Sequence, residues 1–293
     1  MTLKSDMRSF LLTHPGLNPY KFSFEHTFRL LTSSFRHLPH FLIIGTSKAG
    51  KHSVLSYLNQ HPRLKAGTKH NVGVYYFDTT FEYKSISWYK SHFPTKFSKF
   101  KIIGEASGTY LNHPLAPQRI KKTLPFVKLI NFFRNPVDRA YSAYNHSHKL
   151  GWEHSTFEDS IRSELDRINL MKDNTEMEIN NIDTVNFLQF SYLRHGHYAK
   201  NLEIWFKNFP KTQFKHFSTE ELDKNYNEIM NSLFTFFNLE EITLKKEERK
   251  NIGVGRGPYP PMKESTRDML IDYFKPHNEK LYSMIEKKFD WDN

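Results

Sequence analysis

Residues 40–62, HFLIIGTSKAGKHSVLSYLNQHP, decide how the rest of this chain is read. Positions 41–44 are an apolar run short enough for a buried strand. Residues 45–53 are then small, polar and cationic, and Val54, Leu55 and Leu58 recur at helical spacing. Strand, tight loop and helix in that order aim successive backbone N–H groups and the positive end of a helix dipole at one point. An anion with several oxygens is held at such a point. Lys48 and Lys51 bring two mobile charges to it.

Further candidate strands lie at 72–77 (VGVYYF), 101–104 and 126–133 (FVKLINFF), with a short helix near 87–93. The last strand runs into RNPVDRAYSAY, where Asn135 is a natural N-cap and Pro136 a natural first helical residue. Arg134 then stands at the strand's end, and Ser142 lies in the early turns on the face of Asp138. Strands alternating with helices predict an α/β fold, a three-layer P-loop-like arrangement of a mainly parallel central sheet flanked by helices. Its ligands gather where the strands end. Amphipathic helices are expected around Tyr198 to Phe206 and over 223–238. The Gly- and Pro-rich run 253–261 is a loop, and a terminal helix opens at Ser265 and is interrupted near Pro276.

At 293 residues one sizeable domain is expected over 1–293, with 1–37 as an arm packed on it. The stretch 153–183 differs, holding nine acids against three bases in a chain of net charge +11. It predicts a helical acidic insertion over 153–195, a lid on the substrate side, with Ser155 and Glu158 as a capping box. The overall charge draws anions without choosing among them. There is no cysteine, which excludes disulfides, thiolate nucleophiles and cysteine metal sites. No run of about 18 apolar residues appears and the first residues lack a secretory pattern, so a cytoplasmic protein is expected.

The loop GTSKAGKH fits the nucleoside-triphosphate pattern GxxxxGK[ST] except at its last place, where His52 replaces the hydroxyl that would hold Mg²⁺. A P-loop nucleotide kinase is therefore one alternative. The loop more closely resembles that of the sulfotransferases that use 3′-phosphoadenosine 5′-phosphosulfate (PAPS), in particular the heparan-sulfate-type branch and its bacterial relatives. The resemblance continues through the run from Arg134 to Ser142, similar to that family's 3′-phosphate motif. It extends through EASGTY at 105–110, with Gly108 where the family has proline, through GHYA at 196–199, and through the stretch from Gly255 and Arg256 to Tyr282. Five elements in the family's order cover about residues 40–285.

This resemblance implies that Lys48, Ala49, Gly50, Lys51, His52 and Ser53 cradle the 5′-phosphosulfate. Arg134 and Ser142 would hold the 3′-phosphate, with Tyr198, Arg256 and Gly257 as further contacts. A planar guanidinium suits phosphate oxygens. Lys48 is expected to stabilise charge growing on the bridging oxygen during in-line transfer, with no metal required and adenosine 3′,5′-bisphosphate (PAP) as product. The acceptor must lose a proton. The family's base follows a lysine, a place held here by His70, with Glu105, His52 and Asp78 as alternatives. The acceptor is expected to be a hydroxyl or amine of a small polar metabolite, of the cationic guanidinium-alkaloid type found in natural product biosynthesis, with a glycan as the alternative. Neither nucleic acid nor a membrane is an expected partner.

Overall fold

The computed structural model of the chain describes residues 24–67, 73–81, 83–170, 190–245 and 260–291. Strands β1 (Phe41–Gly45), β2 (Leu64–Ala66), β3 (Ile102–Ala106), β4 (Lys128–Phe133) and β5 (Phe214–Ser218) form one sheet. Their order is β2-β3-β1-β4-β5, and every neighbouring pair is parallel. All five residues of central β1 are buried, as an apolar run covered on both faces requires.

Successive residues of β1 point to opposite faces, and each face has its own core. Phe41 and Ile43 join Ile130 and Phe132 against α2 (Lys51–Leu58) and α9 (Tyr226–Phe236). Leu42 and Ile44 join Leu129 and Phe133 against α4 (Ala116–Thr123) and α7 (Tyr198–Asn208), where Trp205 is fully buried. A third cluster packs α5 (Pro136–Lys149), α6 (Phe157–Leu170) and α10 (Glu264–Ile285) through Val137, Ile161, Leu270 and Phe274. The remaining described α-helices are α1 (Phe24–Leu31), α3 (Ile86–Ser91) and α8 (Thr219–Lys224). The result is the expected three-layer α/β fold.

The structure departs from the sequence expectations in several places, among them strand β2, a three-residue segment that no expected strand covers. The run VGVYYF is not a strand: Tyr75 adopts φ 54° and a π-helical turn spans Tyr76–Thr80. Its aromatic residues pack on one another and on Tyr89, with Tyr76 and Tyr89 stacked at 4.6 Å, so ring packing outweighs β-propensity. Strand β5 was missed, because FKHFS carries Lys215 and His216 where a buried strand would be apolar. Helix α10 continues through Pro276 for 22 residues, since Leu270, Phe274, Asn278 and Leu281 are buried on both sides of it and offset a cost of about 3 kcal/mol. The cap of α6 is Thr156 rather than Ser155: the Asp159 N–H donates to Thr156 Oγ1 at 3.2 Å. Among the described residues no helix is long and apolar enough to cross a membrane.

Candidate active site

Because all five strands run the same way, the segments that follow them meet at one edge of the sheet. Residues 46–50 follow β1, Ser107 and Gly108 follow β3, Arg134 follows β4 and Thr219 follows β5. The loop after β1 is anchored on β4 by the Thr46 N–H, which donates to the Phe132 carbonyl at 2.8 Å. It turns through two left-handed residues, Lys48 (φ 72°) and Gly50 (φ 69°). Glycine takes that conformation freely, whereas lysine does so at a cost of order 1–3 kcal/mol, and such strain collects where side chains must be aimed.

The strain at Lys48 sets its ammonium in a half-buried, electropositive place. Burial, followed by the charges of Lys51, Arg134 and Arg139, pushes its pKa from 10.5 down to about 8. Arg134 also braces the loop directly, donating through its guanidinium to the Lys48 carbonyl at 3.2 Å. Arg134 is in turn fixed from behind by Tyr198, whose hydroxyl donates to the Arg134 carbonyl at 2.9 Å and whose ring lies 4.9 Å from that of Phe133. Burial raises the Tyr198 pKa, so the hydroxyl stays a donor. Tyr198 is thus buried against the end of β4, where it positions the Arg134 backbone.

Lys51 opens α2 and is turned inward. Its Nζ lies 5.9 Å from the centre of the Tyr75 ring, and a Cβ placed on Gly108 would come within 3.0 Å of it. The departures at positions 51 and 108 are therefore linked: the residue that carries no side chain makes room for the lysine. His52 is half-buried in the same helical turn, while Ala49 and Ser53 are buried at its base. Ser142 is half-buried in α5, and Asp138, one turn before it, pairs with Arg267 of α10 at 2.5 Å. Among the described residues no carboxylate forms an ion pair with Lys48, Lys51 or Arg134, and no cluster of three metal-binding side chains exists. Three convergent cations without a counter-charge fit a multiply charged anion.

Glu105, one of the candidate bases, anchors the chain within the structure. Its carboxylate is fully buried and takes four donors: Tyr89 at 2.7 Å and Tyr110 at 3.0 Å on one oxygen, Val74 N–H at 2.8 Å and Ser107 at 3.1 Å on the other. Burial raises its pKa, and those donors oppose the rise. The group ties the segment from Gly73 to the end of β3, under the floor of the site. Asp78 accepts a hydrogen bond from Thr109, and its backbone carbonyl accepts from Arg119 at 3.2 Å. His70, Arg256 and Gly257 lie outside the described residues.

Several acids of the 153–183 stretch are engaged within the chain. Glu164 is buried and accepts from the Leu193 and Arg194 N–H groups at 2.8 and 2.9 Å. Glu153 accepts from Tyr192, Glu158 from Thr266, and Asp159 from Thr156 and Arg162. Two participants escaped the sequence reading. Arg139, fully buried, adds its charge behind Lys48 and donates to the Tyr192 carbonyl. Glu220 of α8 accepts from the Asn135 N–H and the Trp291 indole, both at 3.1 Å, and so holds the start of α5 to the C-terminal segment. The motif spacing around Arg134 pointed to Arg139. Nothing local pointed to Glu220.

The family model described as "Sulfotransferase domain" matches residues 38–252, and the chain belongs to that family. It is thus an enzyme of sulfuryl transfer, and the ownership of the loop falls to the sulfotransferases rather than the P-loop kinases. The membrane-associated sulfotransferase kil1 of Dictyostelium discoideum is 27% identical across 87% of this chain and 67% of its own length. The bifunctional heparan sulfate N-deacetylase/N-sulfotransferase of Drosophila melanogaster is 24% identical across 85% of this chain, which spans only 26% of that relative. A sulfotransferase from Alicyclobacillus acidocaldarius shares the fold, with a TM-score of 0.69 over 88% of this chain and 100% of that one at 22% identity.

Proposed function

We propose that the sulfuryl donor is PAPS, held with its 5′-phosphosulfate at Lys48, Lys51 and the 49–53 turn and its 3′-phosphate at Arg134 and Ser142. The observation that carries this is the convergence of Lys48, Lys51 and Arg134: burial and then the neighbouring charges lower the Lys48 pKa, and among the described residues none of the three is in an ion pair with a carboxylate. PAPS supplies an activated sulfuryl group whose leaving phosphate gains charge as the bond breaks. Lys48, already positioned by its left-handed backbone, offsets that charge with no reorganisation of the protein. Arg134, fixed by Tyr198, sets the register of the donor so that acceptor and leaving group fall in line. His70 is the base we assign, because it precedes by three residues the Gly73 segment that Glu105 anchors on the site's floor, and imidazole titrates near neutrality.

The acceptor we assign is a hydroxyl or amine of a carbohydrate. Two observations support it over a cationic metabolite. Glu153, Glu158, Asp159 and Glu164, four of the nine acids in the 153–183 stretch, are engaged in hydrogen bonds within the chain. The Drosophila relative is named for heparan sulfate. The donor assignment is tested by melting the protein with PAP and with Mg-ATP, since a ligand specific to the native state raises the melting temperature. A rise with PAP alone is expected, and a rise with Mg-ATP alone would overturn the assignment. Sulfuryl transfer to a glucosamine-containing oligosaccharide, compared with a small guanidinium alcohol, tests the acceptor.

A further inference from the structure

The other edge of the sheet, where the strands begin, is basic as well. Residues 83–137 contain ten Lys and Arg against a single acid, Glu105, which is buried. Five of those bases stand exposed on the two segments that lead into β3 and β4: Lys96, Lys99 and Lys101 on one, Lys121 and Lys122 on the other. Among the described residues none of the five is in an ion pair.

Between these lysines the same segments display phenylalanines. Phe97 is 84% exposed and Phe126 is 90% exposed. Phe35, at 56%, lies 6.3 Å from Phe97 ring to ring, and Leu31, at the end of α1, is 77% exposed. The segments that carry them are held. The Lys96 N–H donates to the Phe35 carbonyl at 2.8 Å, the Lys101 N–H to the Arg63 carbonyl at 2.8 Å, and the Gln213 amide to the carbonyls flanking Phe126 at 3.3 and 2.7 Å. The rings are therefore presented on fixed backbone.

We propose that this edge docks the protein on an anionic lipid bilayer, with Phe97 and Phe126 entering the interface and the five lysines meeting lipid phosphates and carboxylates. Charge complementarity selects an anionic partner, and the phenylalanines select among anions. A bilayer offers hydrocarbon to an exposed ring, whereas a sulfated glycan or a nucleic acid backbone offers the lysines charge and leaves the rings in water. The acceptor does not explain the face, because the cations of the active site lie at the opposite edge. Docked this way, the enzyme turns its active site toward the aqueous phase. The sequence expectation of no membrane partner rested on the lack of a spanning segment, which a peripheral face does not need.

Vesicle flotation with the full chain tests the proposal, using pure phosphatidylcholine vesicles and vesicles with about 30% phosphatidylserine at about 0.1 M salt. Wild type is expected to float with the anionic vesicles only. The F97S/F126S variant should bind them at least about tenfold more weakly while keeping its melting shift with PAP and its retention on a heparin column. Failure of wild type to float would overturn the proposal. So would flotation unaffected by the double substitution, or a parallel loss of heparin retention, which would mark the face as a polyanion site.

Discussion

At the edge where the strands end, Lys48, Lys51 and Arg134 converge, half-buried, on one small volume, and burial, followed by the repulsion of neighbouring cations, brings the Lys48 pKa down to about 8. At the edge where they begin, five lysines stand exposed on the two segments that also carry the exposed rings of Phe97 and Phe126. The two edges have the same sign of charge and opposite handling of water. Half-burial makes each cation costly until an anion of matching shape arrives, which gives selectivity. Exposure makes each cation cheap and interchangeable, which suits an extended surface whose charges are not fixed in place.

The comparison breaks most visibly at Lys48. Lys48→Ala should lower turnover by a factor of hundreds, about 3–4 kcal/mol of transition-state stabilisation, while leaving the melting temperature near that of wild type. Substituting any one of the five exposed lysines should leave turnover unchanged. Glu105→Gln separates anchoring from base catalysis. An amide cannot accept from all four donors, so a loss of about 1–3 kcal/mol and a drop of several degrees in melting temperature are expected, with activity per folded molecule largely kept. Loss of all activity with unchanged melting would instead make Glu105 the base. Arg134→Ala should weaken PAP binding by a few tens of fold in titration calorimetry, the loss of charge-assisted hydrogen bonds worth about 2 kcal/mol. Gly108→Ala is the mildest test. The added Cβ meets the flexible end of Lys51 at 3.0 Å and the Ser47 backbone at 3.2 and 3.3 Å, which can give by a few tenths of an ångström, so a change of about two- to fivefold in donor KM is expected.

Much of the catalytic edge was legible because its signals are local. The 41–44 run could be little but a buried strand, and Asn135 with Pro136 does cap and start α5, the Asn135 side chain accepting from the Val137 N–H at 3.0 Å. Position 51 was visible as unusual, but its direction was not, because that depends on Gly108, 57 residues away in sequence and adjacent only once β3 pairs with β1. The segment after Gly73 was misread for a similar reason. Its conformation is dictated by Glu105, Tyr89 and Tyr110, which reach it from other elements. The basic and aromatic edge was hidden by the averaging of charge over the whole chain. Only the parallel sheet brings the segments before β3 and β4 to one side.

Titration of PAP as a function of pH shows whether the Lys48 ammonium holds the donor. Lys48 in the folded protein loses its proton near pH 8 instead of 10.5. Between those values the native state binds fewer protons than the unfolded chain, so stability rises with pH while affinity for an anion that needs the ammonium falls. The PAP dissociation constant is expected to be flat below about pH 8 and to rise by up to about tenfold per unit above it. Lys51→Thr, by removing one of the repelling charges, should move the onset to higher pH. A dissociation constant that stays level from pH 7 to 10 in both proteins would contradict that role of the Lys48 ammonium.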